Sequence, residues 1–425
     1  MNINIKNISI KKILLVALLI RLLLLPFGTH TDVGNHVVWG RYGQEFGFKG
    51  YYDWLNFFAF NRPNQPPLTI ITYTFVKNIH SFFYQPLWFV NTHLPLFPSK
   101  LMTWYANNGF SALLKLPSSL ADIAIGFLLY KIALKIFKHK NKSLIVASIY
   151  LFNPVTFYNS AIWGQTDAYI CFFFLLALAL LVFKPNLPLA LPIFALSLLT
   201  KASLIIFLPP LLIFYFKNKP KISNLLISLF LSLIFIYLTT SPFAPDFFLT
   251  WTYRLYTKVI IAGELHYLTA NAFNFWALAF GFKPIMDSIN IISYFTAYQI
   301  GLFVFAIYYC YLLVSLWRHF NLDNLLLSLT LMAFGSFLLL TRMHERYLFP
   351  IFIPMTILAV KNILPLSSYW TLSLIHLVNL YHYWWYPKIY PVVYLLSLSL
   401  IEKTLILSLI YIFVKFNLIY QRRLE

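Results

Sequence analysis

The run Thr341-Arg342-Met343-His344-Glu345-Arg346-Tyr347 sets two guanidinium groups, an imidazole and a carboxylate between two apolar segments, with almost no room for a loop. Such groups are too costly to bury unpaired, so they must form a mutually satisfied polar knot or face a water-filled cavity. An arginine fork matches phosphate oxygens bidentately, which makes phosphate recognition the chemistry this run is suited to. A positive patch without chemistry would not need His344 and Glu345. A second run, Thr29-His30-Thr31-Asp32-Val33-Gly34-Asn35-His36, comes directly after the first apolar segment. A carboxylate there, among small polar residues and two histidines, is suited to take a proton from a hydroxyl nucleophile. The plainer alternative is that Asp32 caps an interfacial helix over residues 37–46. In a third run, Asn153-Pro154-Val155-Thr156-Phe157-Tyr158-Asn159-Ser160-Ala161-Ile162-Trp163-Gly164-Gln165-Thr166-Asp167, an apolar segment ends in proline and asparagine, with Trp163 at interface depth. Gln165 and Asp167, next to a flexible glycine, are a hydrogen-bonding pair that could hold a sugar's hydroxyls. A turn with a cap would use the same residues.

Other charged residues carry weaker signals. Lys115 and Asp122 are seven apart and share a helical face, which suggests a structural pair, through water or a neighbouring helix. Arg21 and Lys201 could each approach a lipid phosphate, although snorkelling to the interface accounts for both almost as well. Lys131, Lys135, Glu402 and Lys403 fall towards segment ends or pair locally and are assigned to structure.

The elements that must position these groups are membrane helices. The chain has 425 residues, is 60% apolar and only 10% charged, with a mean hydropathy of +0.74. That balance excludes a water-soluble enzyme, a disordered chain and a disulfide scaffold. Apolar runs such as 13–27, 168–183 and 392–414 are each about long enough to cross a hydrocarbon core of about 30 Å. The net charge of +20 would suggest nucleic acid in a soluble domain. Here it lies in short segments between apolar runs, where topology and anionic lipid explain it, and no nucleic-acid partner is expected. Cys171 and Cys310 both sit inside apolar runs, so neither a disulfide framework nor a metal knuckle is available. The first apolar run has a basic start and ends in Pro26-Phe27-Gly28-Thr29-His30, without a cleavage site, so the first helix is read as retained.

Lys and Arg placement orients the chain. The clusters at 138–142, 217–221, 317–319 and 415–423 lie inside if the N-terminus does. The expected fold is all-α: one polytopic transmembrane bundle of about twelve spans with both termini cytoplasmic. A large first outer loop with interfacial helices covers 28–108, a second outer region 242–290, and a cytoplasmic tail 415–425. Whether 271–282 spans or re-enters is the open point. On this topology Asp32, Glu45, Asp53, Asp167, Asp246, Glu264 and Glu345 all fall on the non-cytoplasmic side.

The three polar runs, in this order and over most of the chain, resemble the GT-C superfamily of membrane glycosyltransferases. The resemblance is closest to the bacterial group similar to the second mannosyltransferase of GPI-anchor synthesis. The matching positions are Asp32, Asn153, Pro154, Trp163, Gln165, Asp167, His344, Glu345, Arg346 and Tyr347. The last run also looks like the His-Glu-Lys segment of glucosyltransferases that use dolichyl-phosphate glucose. The resemblance implies a GT-C-like fold and transfer of a hexose, mannose or glucose, from a polyprenyl-phosphate donor to an acceptor hydroxyl on a lipid-linked or cell-surface glycan. It implies an active site on the non-cytoplasmic face of the cell membrane, with inversion by a single displacement. Asp32 would be the base. Trp163, Gln165, Asp167 and Glu345 would bind substrate, while Arg342, His344, Arg346 and Lys201 would hold the donor phosphate, with Arg254 a second choice. Asp32 has no neighbouring acid before Glu45, unlike the acidic pair of many superfamily members, so neither metal nor cofactor is expected. The alternative class is a lipid or sugar transporter or flippase, which would also have about twelve spans and buried charges. The gathering of acids on one face and the lack of a repeat argue against it.

Overall fold

A computed structural model describes residues 9–28, 30–52, 57, 62–185, 187–263 and 265–425. Asp53 and Glu264, expected on the outer side, and Thr29 lie outside the described residues. The chain is mostly helical, and among the described residues the only sheet is a two-stranded antiparallel hairpin, Asn290–Ile292 with Phe295–Thr296, before the Ala297–Arg318 helix.

Among the described residues three helices are long and apolar enough to cross a membrane: Ile222–Thr240, Ala297–Arg318 and Leu322–Leu339. A fourth span results if Tyr390–Leu396 and Ser399–Arg422, bent by 69° at the break between them, count as one. The expected count of about twelve spans is thus not matched by long apolar helices among the described residues. Proline and polar breaks divide several of them. The 187–216 region becomes Ala190–Thr200, a 3-10 turn over Ala202–Phe207, and Leu208–Lys217. The 348–360 region becomes a 3-10 helix, Glu345–Ile351, running into Phe352–Val360.

Burial separates two kinds of apolar helix. Leu322–Leu339 is buried from Asn324 to Leu338 and is the centre of the main core, with Asp167–Phe183, Phe352–Val360 and the C-terminal helix around it. Ile222–Thr240 instead turns Ile222, Leu226, Phe230 and Leu238 outward, each 59–70% exposed. A helix apolar all round and left uncovered by protein is stable in hydrocarbon and not in water.

Three helices introduce the N-terminal third: α1 (Ile10–Leu24), α2 (Thr31–Phe46) and α3 (Pro67–His93). Helix α1 carries Arg21, which is fully buried and does not snorkel to a lipid phosphate. Its Nε donates to Asp122 Oδ2 at 3.1 Å, and Nη2 donates to Thr156 Oγ1 and the Leu151 carbonyl. Tyr150 and Ser160 hydroxyls donate to the same Asp122 carboxylate at 2.9 and 2.5 Å. Asp122 therefore does not serve Lys115. Lys115 is the N-cap of the helix Leu116–Phe137, and its ammonium reaches back to the carbonyls of Leu25, Phe27 and Gly28. A cation there satisfies the carbonyls left open at the end of α1. Glu402 is also partnered at long range, with His382 Nε2 at 3.0 Å.

Region 271–282 is neither a span nor a re-entrant helix. Residues 267–271 bridge backbone to 342–344, with Arg342 N–H donating to the Tyr267 carbonyl and Ala270 N–H to that of Met343. Only Phe275–Phe280 is helical, about 9 Å long at 1.5 Å per residue.

Candidate functional site

Helix α2 puts Asp32 in its first turn, and the cap is not Asp32 itself. His30 is the N-cap, its Nδ1 accepting from Asp32 N–H at 3.2 Å. The Asp32 carboxylate is thereby free to face the protein. Gln165 Nε2 donates to Asp32 Oδ2 at 2.7 Å, and Arg346 Nη2 lies 3.4 Å from the same oxygen. Residues 133 and 314 positions away along the chain thus meet at one carboxylate.

The third run explains how Gln165 arrives. Asn153 caps the short helix Pro154–Phe157 by accepting from Val155 N–H, and it also bonds Tyr369 and Ser373 hydroxyls. Asn153 and Pro154 are therefore turn and cap, the plainer of the two alternatives for that part of the run. The chain then winds through a π-helical turn, Tyr158–Trp163, which ends at Gly164 with φ +83°. A Cβ at Gly164 would meet Val33 Cγ2 at 2.8 Å, so glycine is required both for the left-handed backbone and for the approach of α2. Asp167 opens the next helix, buried, accepting from Asn159 Nδ2 at 3.2 Å with Lys201 Nζ 3.5 Å away. Lys201 is held by the corner after Ala190–Thr200, whose last carbonyl accepts from Thr69 Oγ1 of α3 at 2.6 Å. Its ammonium lies 4.7 Å from the centre of the Tyr347 ring.

The 342–347 run divides. Arg346 donates to Glu345 Oε1 at 2.9 Å, approaches His344 Nδ1 at 3.4 Å and stands at Asp32. Arg342, with φ +62°, turns away and pairs with Asp287 at 2.6 Å against the Tyr298 ring. Its guanidinium is committed to a structural partner. Arg254 pairs with Asp246 at an exposed position.

The electrostatics of the cluster are set by burial. Burial works to raise the Asp32 pKa, but Arg346 and then His30 outweigh it and hold Asp32 well below the usual carboxylate range. Burial raises Glu345 against the pull of Arg346. Burial, and then the Arg346 charge, hold His344 well below its ordinary 6.5, so at neutral pH it is a neutral imidazole and not the cation expected for phosphate binding. Burial likewise pushes His36 down to about 3.

Several residues of the cluster have no signal in the sequence. Tyr73 of α3 stacks on His36 at 4.5 Å, and Gln65 Nε2 lies 3.4 Å from His36 Nε2. Trp384 stacks on Trp163 at 5.5 Å, with Tyr386 beyond it and His30 edge-on to both tryptophans. Aromatics make up 20% of the chain, so Tyr73 and Trp384 cannot be singled out by type. Six buried polar atoms in this one place lack a partner: Gln65 Oε1, Tyr73 Oη, Asn159 Oδ1, Trp163 Nε1, Thr166 Oγ1 and Arg346 Nε. Buried polar groups in proteins are almost always satisfied, so such a concentration marks where a polar ligand or ordered water belongs. Among the described residues no group of three or more His, Cys, Asp or Glu is arranged to hold a metal ion. Compared with known proteins, the chain matches no family model, and no curated protein is similar to it.

Proposed function

We propose that the chain is a polytopic membrane glycosyltransferase of the GT-C kind, moving a hexose from a polyprenyl-phosphate donor to an acceptor hydroxyl on the non-cytoplasmic side. The observation that carries this reading is the meeting of Asp32, Gln165 and Arg346, with Asp167, Lys201, His344 and Glu345 around them, from three distant segments. The fold behind it is an all-α bundle of about twelve spans, some of them broken, in the cell membrane.

In the reaction, the acceptor hydroxyl gives its proton to Asp32 while its oxygen bonds to the anomeric carbon. The bond from that carbon to the phosphate oxygen breaks, its electron pair going to the departing polyprenyl phosphate. Negative charge grows on the phosphate in the transition state, and fixed cations in a water-poor site stabilise it. Arg346 and Lys201 are those cations, and neutral His344 can donate one N–H. Arg342 is left out, because its fork is spent on Asp287. Arg346 gives the steps an order. Once the donor phosphate takes its fork, Asp32 loses the charge that most lowers its proton affinity and becomes a stronger base. Gln165 keeps the carboxylate aimed, and the unpaired Trp163, Asn159 and Thr166 atoms offer hydrogen bonds to sugar hydroxyls. The Trp163, Trp384 and Tyr386 rings form an apolar wall beside them.

Purified protein incubated with radiolabelled polyprenyl-phosphate mannose or glucose and a panel of lipid-glycan acceptors tests the reading. Transfer that disappears in Asp32→Asn is the expected result. Absence of transfer with every donor, together with movement of the same lipids across reconstituted vesicles, would replace it with a transporter.

A further inference from the structure

A second polar site lies beyond the Asp32 cluster on the same two helices. Arg41 is nine residues after Asp32 on α2, about 13 Å along the axis. Lys77 lies one turn beyond Tyr73 on α3. Between them opens a cavity of about 660 Å³ lined by Arg41, Gln44, Glu45, Lys77, His80 and Ser81, among others. None of these residues belongs to the cluster around Asp32.

We propose that this cavity binds a phosphate group, carried either by a lipid headgroup or by a soluble phosphate compound. Two cations face the same space, and among the described residues no carboxylate stands within 4 Å of either. Lys77 is half-buried and Arg41 exposed, and a half-buried ammonium facing a second cation is disfavoured without a counter-charge. Burial and the Arg41 charge both lower the proton affinity of Lys77. The ammonium is nonetheless fixed in place, donating to Ser81 Oγ at 3.1 Å and lying 5.4 Å from the centre of the Phe110 ring. The neighbouring side chains hold the wall in shape: Gln44 Nε2 donates to Asn78 Oδ1 at 2.8 Å and Ser81 Oγ at 3.1 Å, and His80 gives its Nε2–H to the Tyr105 carbonyl at 3.2 Å, so the two cations alone are left to meet an anion. Arginine supplies the fork and lysine the point charge, a pairing suited to a phosphate monoester or diester. Glu45 is the one acid in the wall and works against the site.

Lipid is one source because of the surface that α3 presents beyond the cavity. There the helix exposes Phe82, Phe83, Trp88 and Phe89, each 48–71% exposed, and then Leu94 and Leu96. A phosphate held at Arg41 and Lys77 would have hydrocarbon-compatible surface beside it.

The test uses the full-length protein in detergent and monitors thermal unfolding and calorimetric titration with inorganic phosphate against chloride at equal ionic strength. Phosphate should raise the unfolding temperature where chloride does not. Arg41→Gln with Lys77→Gln should weaken binding about tenfold or more, since each removes a charge-assisted hydrogen bond. Glu45→Gln should tighten it, and this exposed, isosteric change keeps the test decisive if the double variant folds poorly. Phosphatidylglycerol that competes with phosphate identifies the lipid source, and failure to compete identifies the soluble one. Stabilisation no greater than with chloride, or undiminished in the double variant, or a Glu45→Gln change that weakens binding, overturns the proposal.

Discussion

Arg346 can be a phosphate clamp or merely the counter-charge of its neighbours, and the two roles separate in a double-mutant cycle with Glu345. Arg346 meets Glu345 at 2.9 Å, Asp32 at 3.4 Å and His344 at 3.4 Å, with its own side chain 11% exposed and that of Glu345 8%. Removing one partner of a buried pair costs about 3–5 kcal/mol, because the other charge is left uncompensated. Arg346→Ala should fall near the lower end, since the Asp32 side chain is 31% exposed and water can take over part of its solvation. Glu345→Ala with Arg346→Ala removes the stranded Glu345 charge, so the pair should show a favourable coupling of about 1–3 kcal/mol in stability. Activity should behave otherwise. Loss of a preorganised donor to a developing oxyanion costs about 10²–10³ in rate, and nothing in the double variant restores it. Arg346→Lys keeps a charge without the fork and should lose much of the activity too. The assay pairs thermal unfolding in detergent with transfer of radiolabelled sugar. Transfer that recovers in the double variant along with stability would refute the catalytic role and leave Arg346 a structural cation.

Asp32→Asn should lower turnover by roughly 10²–10⁴ with donor binding nearly intact, and a folded variant with near-normal turnover would remove Asp32 as base. Asp122→Ala strands Arg21, both side chains being 0% exposed, so stability should drop by about 3–5 kcal/mol in detergent unfolding. A smaller drop means water reaches the pair. His36 is held neutral in the fold, its pKa lowered to about 3 from 6.5, so the unfolded chain binds the extra proton and stability falls as pH drops from about 6.5 towards 3. His36→Gln should flatten that slope, and an unchanged slope contradicts the assignment. For topology, in a background lacking the exposed Cys310, a cysteine near Asn61 should react with an impermeant reagent in intact cells. Cysteines at Asn141 and Asn218 should react only after permeabilisation, and the reverse pattern inverts the active side.

The helical class and the three polar runs are legible from composition and local pattern, because apolar length and clustered charge are properties of short windows. The span count is less so. Apolar length reads 348–360 as a span and 187–216 as a proline-interrupted pair, but Pro209 and Pro210 open the second helix of that pair and Pro350 lies in a 3-10 helix, and hydropathy does not register where a helix breaks. Partner choice is where local reading fails. Lys115 and Asp122 are spaced for one helical face, yet Lys115, at the N-cap, bonds the carbonyls that follow α1 while Asp122 bonds Arg21. The true partner of Asp122 is Arg21, 101 residues earlier, and that of Arg342 is Asp287, 55 residues earlier. Neither pairing leaves a trace in spacing. The Arg342-to-Arg346 run looks like one motif with two equivalent cations, yet the left-handed turn at Arg342 sends them to opposite duties.

The disposition of buried charge then separates scaffold from site. Arg21 donates to a carboxylate, a hydroxyl and two carbonyls and Lys115 to three carbonyls, which uses nearly all their N–H groups, while Arg342 turns its Nε and Nη2 to the carboxylate of Asp287. Arg346 and Lys201 differ in kind. Arg346 is held by Glu345 at 2.9 Å but meets Asp32 only at 3.4 Å, Lys201 meets Asp167 at 3.5 Å, and Arg346 Nε has no partner at all. A cation with a long ion pair or an unpartnered N–H has hydrogen-bonding capacity left for an entering anion. The same run of sequence therefore yields one arginine committed to Asp287 beside the 267–271 backbone bridge and another with an unpartnered N–H, the one that the proposed transfer needs.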